Sequence, residues 1–283
     1  MQQLTYIVSG TADAQRKAEQ AKEKLDRIPH VESLLITIAA PCEMPAEKAG
    51  SMVNAVRELF PHARILAHTC ALKMADLCLD TEGAMLTFTA FESSRVEFVT
   101  VEGNTPASEA KESIARFVGA RPHTKAVEFF VVGLMDQLGA LLEGCTVMDE
   151  HIAVFGAFVD SPPMGVHGYL IADDAELRFG MAAIVFHGET LDAHMVRNFG
   201  WNELGREIVA TRVDGCTVKE LDGGIPLRIY ERYFGIKGDG DFSSDAALFP
   251  LCFEEEDGSV SARVPLKIEA GSGDLTFGLP MQA

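Results

Sequence analysis

The sequence predicts a mixed α/β protein: mixed sheets with flanking helices, in two pseudo-repeated strand–helix–strand–hairpin units, followed by the start of a second domain. Three observations carry this reading. Short β-branched and apolar runs, residues 33–39 (SLLITIA) and 126–132 (AVEFFVV), have the length and composition of buried strands. Residues 46–60 place Met52, Val53, Val56, Leu59 and Phe60 on one helical stripe. The same order of signals then recurs at similar intervals further along the chain.

Taken in order, residues 4–8 alternate like a short strand, and residues 11–26 are Ala/Lys/Glu-rich, an exposed helix that Pro29 ends. The strand at 33–39 and the helix at 46–60 follow. Residues 63–67 form a short strand ending at His68-Thr69-Cys70. Residues 84–91 and 95–101 read as a hairpin joined by Glu92-Ser93-Ser94, and residues 108–118 as a helix capped by Ser108. The second round has strands at 126–132 and 152–157 around a short helix at 136–142. A hairpin-like region at 166–172 and 177–187 follows, and then residues 191–199. Strands 33–39, 126–132 and 152–157 are all expected to be buried.

Beyond this, residues 207–212 and 217–221 pair as strands and 225–234 form a helix. The Gly/Asp-rich stretch 235–244 reads as a domain boundary. The divisions expected are 1–30, 31–234 and 245–283. The last holds three strands, at 247–253, 259–268 and 274–279. They bury a face poorly alone, so the native chain is expected to continue.

A chain of 283 residues has room for two compact units. Its formal charge of −18 repels nucleic-acid phosphates and anionic lipid, so neither is an expected partner. The six cysteines are widely spaced without a CxxC, the pattern of reduced cytosolic thiols rather than a disulfide scaffold. The N-terminus lacks the basic and apolar regions of an export signal, and no apolar run reaches the roughly 18 residues of a membrane helix. The sequence also lacks G-x-S-x-G, a P-loop and HExxH, so no enzyme is expected. Asp239, Asp241 and Asp245 approach calcium-loop spacing, but position twelve is Pro250 rather than a bidentate Glu, and a solvated linker fits better.

Candidate binding residues cluster at two strand ends, where unpaired backbone groups can meet a ligand. Thr69 and Cys70 end one strand. Gly156 permits close backbone approach near the end of another, and Asp160 just beyond it suits an amine. The competing reading makes Gly156 a tight turn and Asp160 a cap beside Pro162-Pro163. His68 and Cys70 share a face of an extended strand, but two residues do not make a metal site. His68, His187 and His194 are each candidate axial haem ligands, against the commoner role of a packed histidine. No cofactor is required by these residues.

One series of motifs is more specific. Gly200-Trp201-Asn202-Glu203-Leu204-Gly205 precedes Val209-Ala210-Thr211, then Val218-Lys219-Glu220-Leu221-Asp222-Gly223, Pro226 and Tyr230. This order resembles the end of a first FIST domain. Pro250-Leu251, Arg263 and Gly273-Asp274-Leu275 are similar to the start of the second. Where that family has a GCSTAG-like stretch, this chain has Ala67-His68-Thr69-Cys70-Ala71-Leu72. Its GG.A.D-like segment is matched by Gly156-Ala157-Phe158-Val159-Asp160. The resemblance implies a cytoplasmic, bacterial type of sensory module that binds a small ligand, amino acids being the proposed class. It also implies an attached output domain such as a histidine kinase or cyclic-dinucleotide cyclase. A haem-binding nitric-oxide sensor and a non-catalytic interaction scaffold are the alternatives.

Overall fold

A computed structural model describes residues 1–70, 73–75, 78–80, 82–133, 151–159, 168–196, 204–238, 242–254, 260–269 and 271–278. The chain divides into two units, Met1–Met195 and Val196–Ala283.

The first unit is built from two copies of one motif. The first copy runs β1 (Gln2–Val8), α1 (Thr11–Leu25), β2 (Ser33–Ala40), α2 (Ala46–Leu59), β3 (Arg64–Thr69), the short pair β4 (Lys73–Ala75) and β5 (Cys78–Asp80), and β6 (Ala84–Phe91). The second runs β7 (Arg95–Glu102), α3 (Ala107–Gly119), β8 (Thr124–Val132), β9 (Ala153–Phe158), the short pair β10 (Leu170–Ala172) and β11 (Ala175–Leu177), and β12 (Gly180–His187). Strand order is the same in both, β1-β6-β2-β3 and β7-β12-β8-β9. In each, the second and third strands are parallel and the last strand inserts antiparallel between the first and second. The β10–β11 pair of the second copy extends the first copy's sheet through antiparallel pairing of β10 with β3.

Apolar residues divide among three layers of packing. Ala14, Ala18 and Ala21 of α1, with Met52 and Val56 of α2, cover the face of the first sheet that carries Ile36, Ile65 and Phe88. Ile114 and Val118 of α3 cover Val127, Phe129 and Val131 of the second sheet. The two remaining faces meet each other through Leu35, Leu66 and Phe91 on one side and Phe98, Phe130 and Ile184 on the other. The order is helices, sheet, sheet, helix. Because the inner strands are covered on both faces, they read as continuous apolar runs rather than alternating ones.

The mixed α/β class and the twofold repetition stand, but the repeat is phased differently from the expectation. Residues 84–91 and 95–101 are strands, yet β6 and β7 belong to different sheets. Glu92-Ser93-Ser94 is therefore the joint between copies, not a hairpin turn. The link also lacks the Gly or Asn of a tight hairpin. Likewise, β10 pairs with β11 while β12 crosses to the second sheet. Residues 191–196 form no strand, and the expected helix at 136–142 lies outside the described residues. Helix α3 starts after Pro106 without a side-chain cap, so Ser108 is not its cap. The expectation that 152–157 is buried is overturned: Phe155, Gly156, Ala157 and Phe158 are exposed. Strand β9 ends the order of its sheet. Its apolar character therefore marks an edge strand.

The second unit contains β13 (Ala210–Asp214), β14 (Thr217–Leu221), α4 (Leu227–Phe234), α5 (Phe242–Ala246), β15 (Leu251–Glu254), β16 (Val260–Arg263), β17 (Lys267–Ile268) and β18 (Leu275–Thr276). Four of these strands form the sheet β13-β14-β18-β17. Its core gathers Val218, Leu221, Tyr230, Phe242 and Leu275, and the Tyr230 hydroxyl donates to Phe249 O at 3.0 Å.

Candidate functional site

The carboxyl ends of β2, β3 and β9 lie together. Parallel pairing sets Ala40 beside Thr69, and Cys70 N–H donates to Ala40 O at 2.7 Å. Thr69 is buried, and its Oγ1 donates to Val159 O at 2.5 Å, while Val159 N–H donates to Val131 O. In the duplicated motif β3 and β9 are equivalent strands, so one side-chain bond ties equivalent ends of the two copies. Thr69 Oγ1 also accepts from Tyr169 N–H at 3.3 Å. A side chain at Gly168 would stand 2.7 Å from Thr69 Oγ1, closer than packed atoms come, which explains the glycine beneath this bond.

The hydroxyl of Thr69, expected to face a ligand, is thus engaged within the protein as both donor and acceptor. Thr69→Val keeps the shape and removes both bonds. It is expected to cost about 1–3 kcal/mol, because a buried carbonyl and N–H are left unpaired. Urea denaturation reads this directly, and a loss of only a few tenths would show the tie to be dispensable.

Gly156 is exposed, and a Cβ there would overlap Phe129 O. Its missing side chain does permit close approach, but the approaching backbone is that of β8. Asp160, the residue after Val159, lies outside the described residues. Cys70 is half-buried, and Cys42 is buried just past the end of β2, where burial first and Glu43 second push its thiol up. Cys42, Cys70, Cys216 and Cys252 are free thiols.

The three histidines are not gathered. The ring of His68 packs against Phe130 with centroids 4.7 Å apart, and its Nδ1 lies 2.9 Å from Thr69 O. Burial holds this imidazole below its ordinary range, against the backbone bond, and Lys73 acts in the same direction as burial. His187 is five positions along β12 from Ala182, the partner of Phe130, which is roughly 16 Å along a strand. Its Nε2 lies 3.4 Å from Glu97 Oε1, and Arg121 Nε donates to Glu97 Oε2 at 2.7 Å. Burial alone would raise the Glu97 carboxyl, but Arg121 and then His187 hold it below the usual range. His194 is exposed beside Asp192. Among the described residues, no three His, Cys, Asp or Glu side chains come together as a metal ion requires. Nor is any described helix long and apolar enough to cross a membrane.

Two polar groups that sequence reasoning did not single out stand out in the packing. Tyr169 is buried with its hydroxyl unpartnered, and burial raises its pKa. Glu128, in the middle of β8, has no hydrogen bond or ion pair among the described residues, and burial pushes its carboxyl up to about 7. The signal for Glu128 was legible, as the single charge inside AVEFFVV.

The sequence model of the family described as FIST N domain matches residues 34–224, well over half of the chain. The chain belongs to the FIST N-domain family. No curated protein matches it. The match spans the first unit's strands from β2 onward and ends in the ELDG turn of the second unit. That turn has a physical basis. Asp222 and Gly223 both adopt left-handed φ, and Asp222 accepts from Val209 N–H at 2.9 Å and from Arg206 at 2.5 Å. An Asp-Gly pair tolerates this backbone where most residues would be strained. FIST N domains are sensory, and the chain is accordingly a sensory module of the signal-transduction class.

Proposed function

We propose that this FIST N domain is a non-catalytic receptor for a small ligand, an amino acid, bound where β3 and β9 end. The observation that carries the reading is the Thr69–Val159 hydrogen bond. By joining equivalent strand ends, it brings Cys70 and Val159 to one edge of the sheet pair. Strand ends of this kind are where ligand pockets collect in α/β sheets. Asp160 pairs with the ammonium, and Thr69 and Gly156 hold the edge in shape from behind. Binding then biases an output domain such as a histidine kinase or cyclic-dinucleotide cyclase in the cytoplasm. Widely spaced free thiols and a charge of −18 suit that compartment.

A thermal-shift panel of the free L-amino acids tests this. One or more is expected to raise the melting temperature. Asp160→Asn is expected to weaken that ligand ten- to hundred-fold, the value of one charge-assisted hydrogen bond. A panel without any shift would remove the reading. A haem sensor is the less favoured alternative, since the Nε2 atoms of His187 and His194 already face the carboxylates of Glu97 and Asp192. A Soret band near roughly 400 nm in the purified protein would reverse that preference.

A further inference from the structure

We infer that Glu128, with Phe155 beside it on β9, is a recognition point for the ammonium group of an organic amine. The placement follows from strand alternation. Val127, Phe129 and Val131 pack toward α3, whereas Phe130 and Val132 pack into the space between the sheets. Glu128 shares the latter face. The pairing register sets Ile184 and Phe98 to one side of it and Phe155 to the other, in a single cross-strand row. Exposure changes along that row. Phe98 and Ile184 are buried, Glu128 is half-buried, and Phe155 is 40 % exposed. The acid therefore sits where the core between the sheets opens at the edge strand.

Among the described residues, no protein group balances its charge. From the facing sheet, Arg64 reaches Phe98 and is paired with Asp173, and His68 reaches Phe130. Its neighbours on β12 and β9 are Ile184 and Phe155, and burial alone accounts for its displaced titration. A carboxyl in this position weakens the fold, and a leucine would fill the same row better. What an unpaired acid beside a partly exposed aromatic ring does offer is an ammonium site, with the carboxylate as counter-charge and the ring face as a second attraction.

The inference rests on the small-ligand reading but not on Asp160 or on the ligand being an amino acid. The intact chain, labelled with carboxyl-13C glutamate, supplies the readout, and loss of one resonance in Glu128→Gln assigns it. The probes are n-butylammonium and benzylammonium, with benzyl alcohol as the neutral control. A binding amine is expected to lower the Glu128 titration midpoint, and benzyl alcohol to leave it in place. Affinity should rise about tenfold per pH unit up to neutrality and level off above it, because the carboxyl must ionise to bind. Glu128→Gln should weaken binding ten- to hundred-fold, and Asp160→Asn should leave the midpoint shift intact. A probe that binds wild type and Glu128→Gln alike overturns the inference and spares the sensory reading. A probe that binds without moving the Glu128 midpoint does the same. If neither amine binds, the inference falls, and the amino-acid panel decides the sensory reading by itself.

Discussion

Phe129→Ala is expected to cost about 3–5 kcal/mol, the usual consequence of removing a large aromatic from a closed site. Phe129 is 3 % exposed and lies in the cluster that seats α3 on the second sheet, with Ile114, Val118 and Val185. Its backbone carbonyl also forms the wall against which Gly156 lies. The substitution leaves that backbone contact in place, so the loss measures the side-chain cavity alone. Urea denaturation with an unchanged m-value would give the figure. A loss below about 1 kcal/mol would mean that the site collapses freely or that α3 is not seated there.

The second large effect depends on pH. Glu128 titrates near 7 in the folded protein, above its ordinary value of 4.5, because burial disfavours its charged form. A carboxyl whose folded pKa is raised contributes no penalty below the unfolded value. It destabilises progressively as pH rises from about 4.5 to about 7, where the unfolded chain has already released its proton. The stability of wild type relative to Glu128→Gln is therefore expected to fall by about 3 kcal/mol between pH 4 and pH 8, given about 1.4 kcal/mol per unit of displacement. Denaturation curves for the two proteins across that range check it. Parallel pH profiles would place the carboxyl in solvent and remove the basis for its displaced titration. The direction distinguishes Glu128 from Glu97, whose partners Arg121 and His187 hold it low and make it a stabilising acid above its titration range.

Helices and strands were largely legible because their causes are local. The stripe of Met52, Val53 and Val56 marks α2, and the β-branched run at 33–39 marks β2, within a residue or two of their observed bounds. Repetition was legible for the same reason, since each copy carries the same succession of local signals. Strand partners were not. Between β6 and β7 the sequence offers a three-residue link, and proximity in the chain suggests a hairpin, but the two strands feed different sheets. Strand β9 looks buried from its composition and is exposed because of its position in the order.

The site divides along the same line. Thr69, Gly156 and Asp160 drew notice as polar or small residues at strand ends. That Thr69 grips Val159, and that Gly156 yields to Phe129, depends on chain segments about ninety and twenty-seven residues away. The sequence by itself determined the family, the element types, the acidic charge and the presence of a lone acid in AVEFFVV. Only the tertiary structure decided which face of β8 that acid occupies and what lies beside it. The reason is the twofold period of a strand: one residue of slip would turn Glu128 from the space between the sheets toward α3, and nothing local to the strand sets that register.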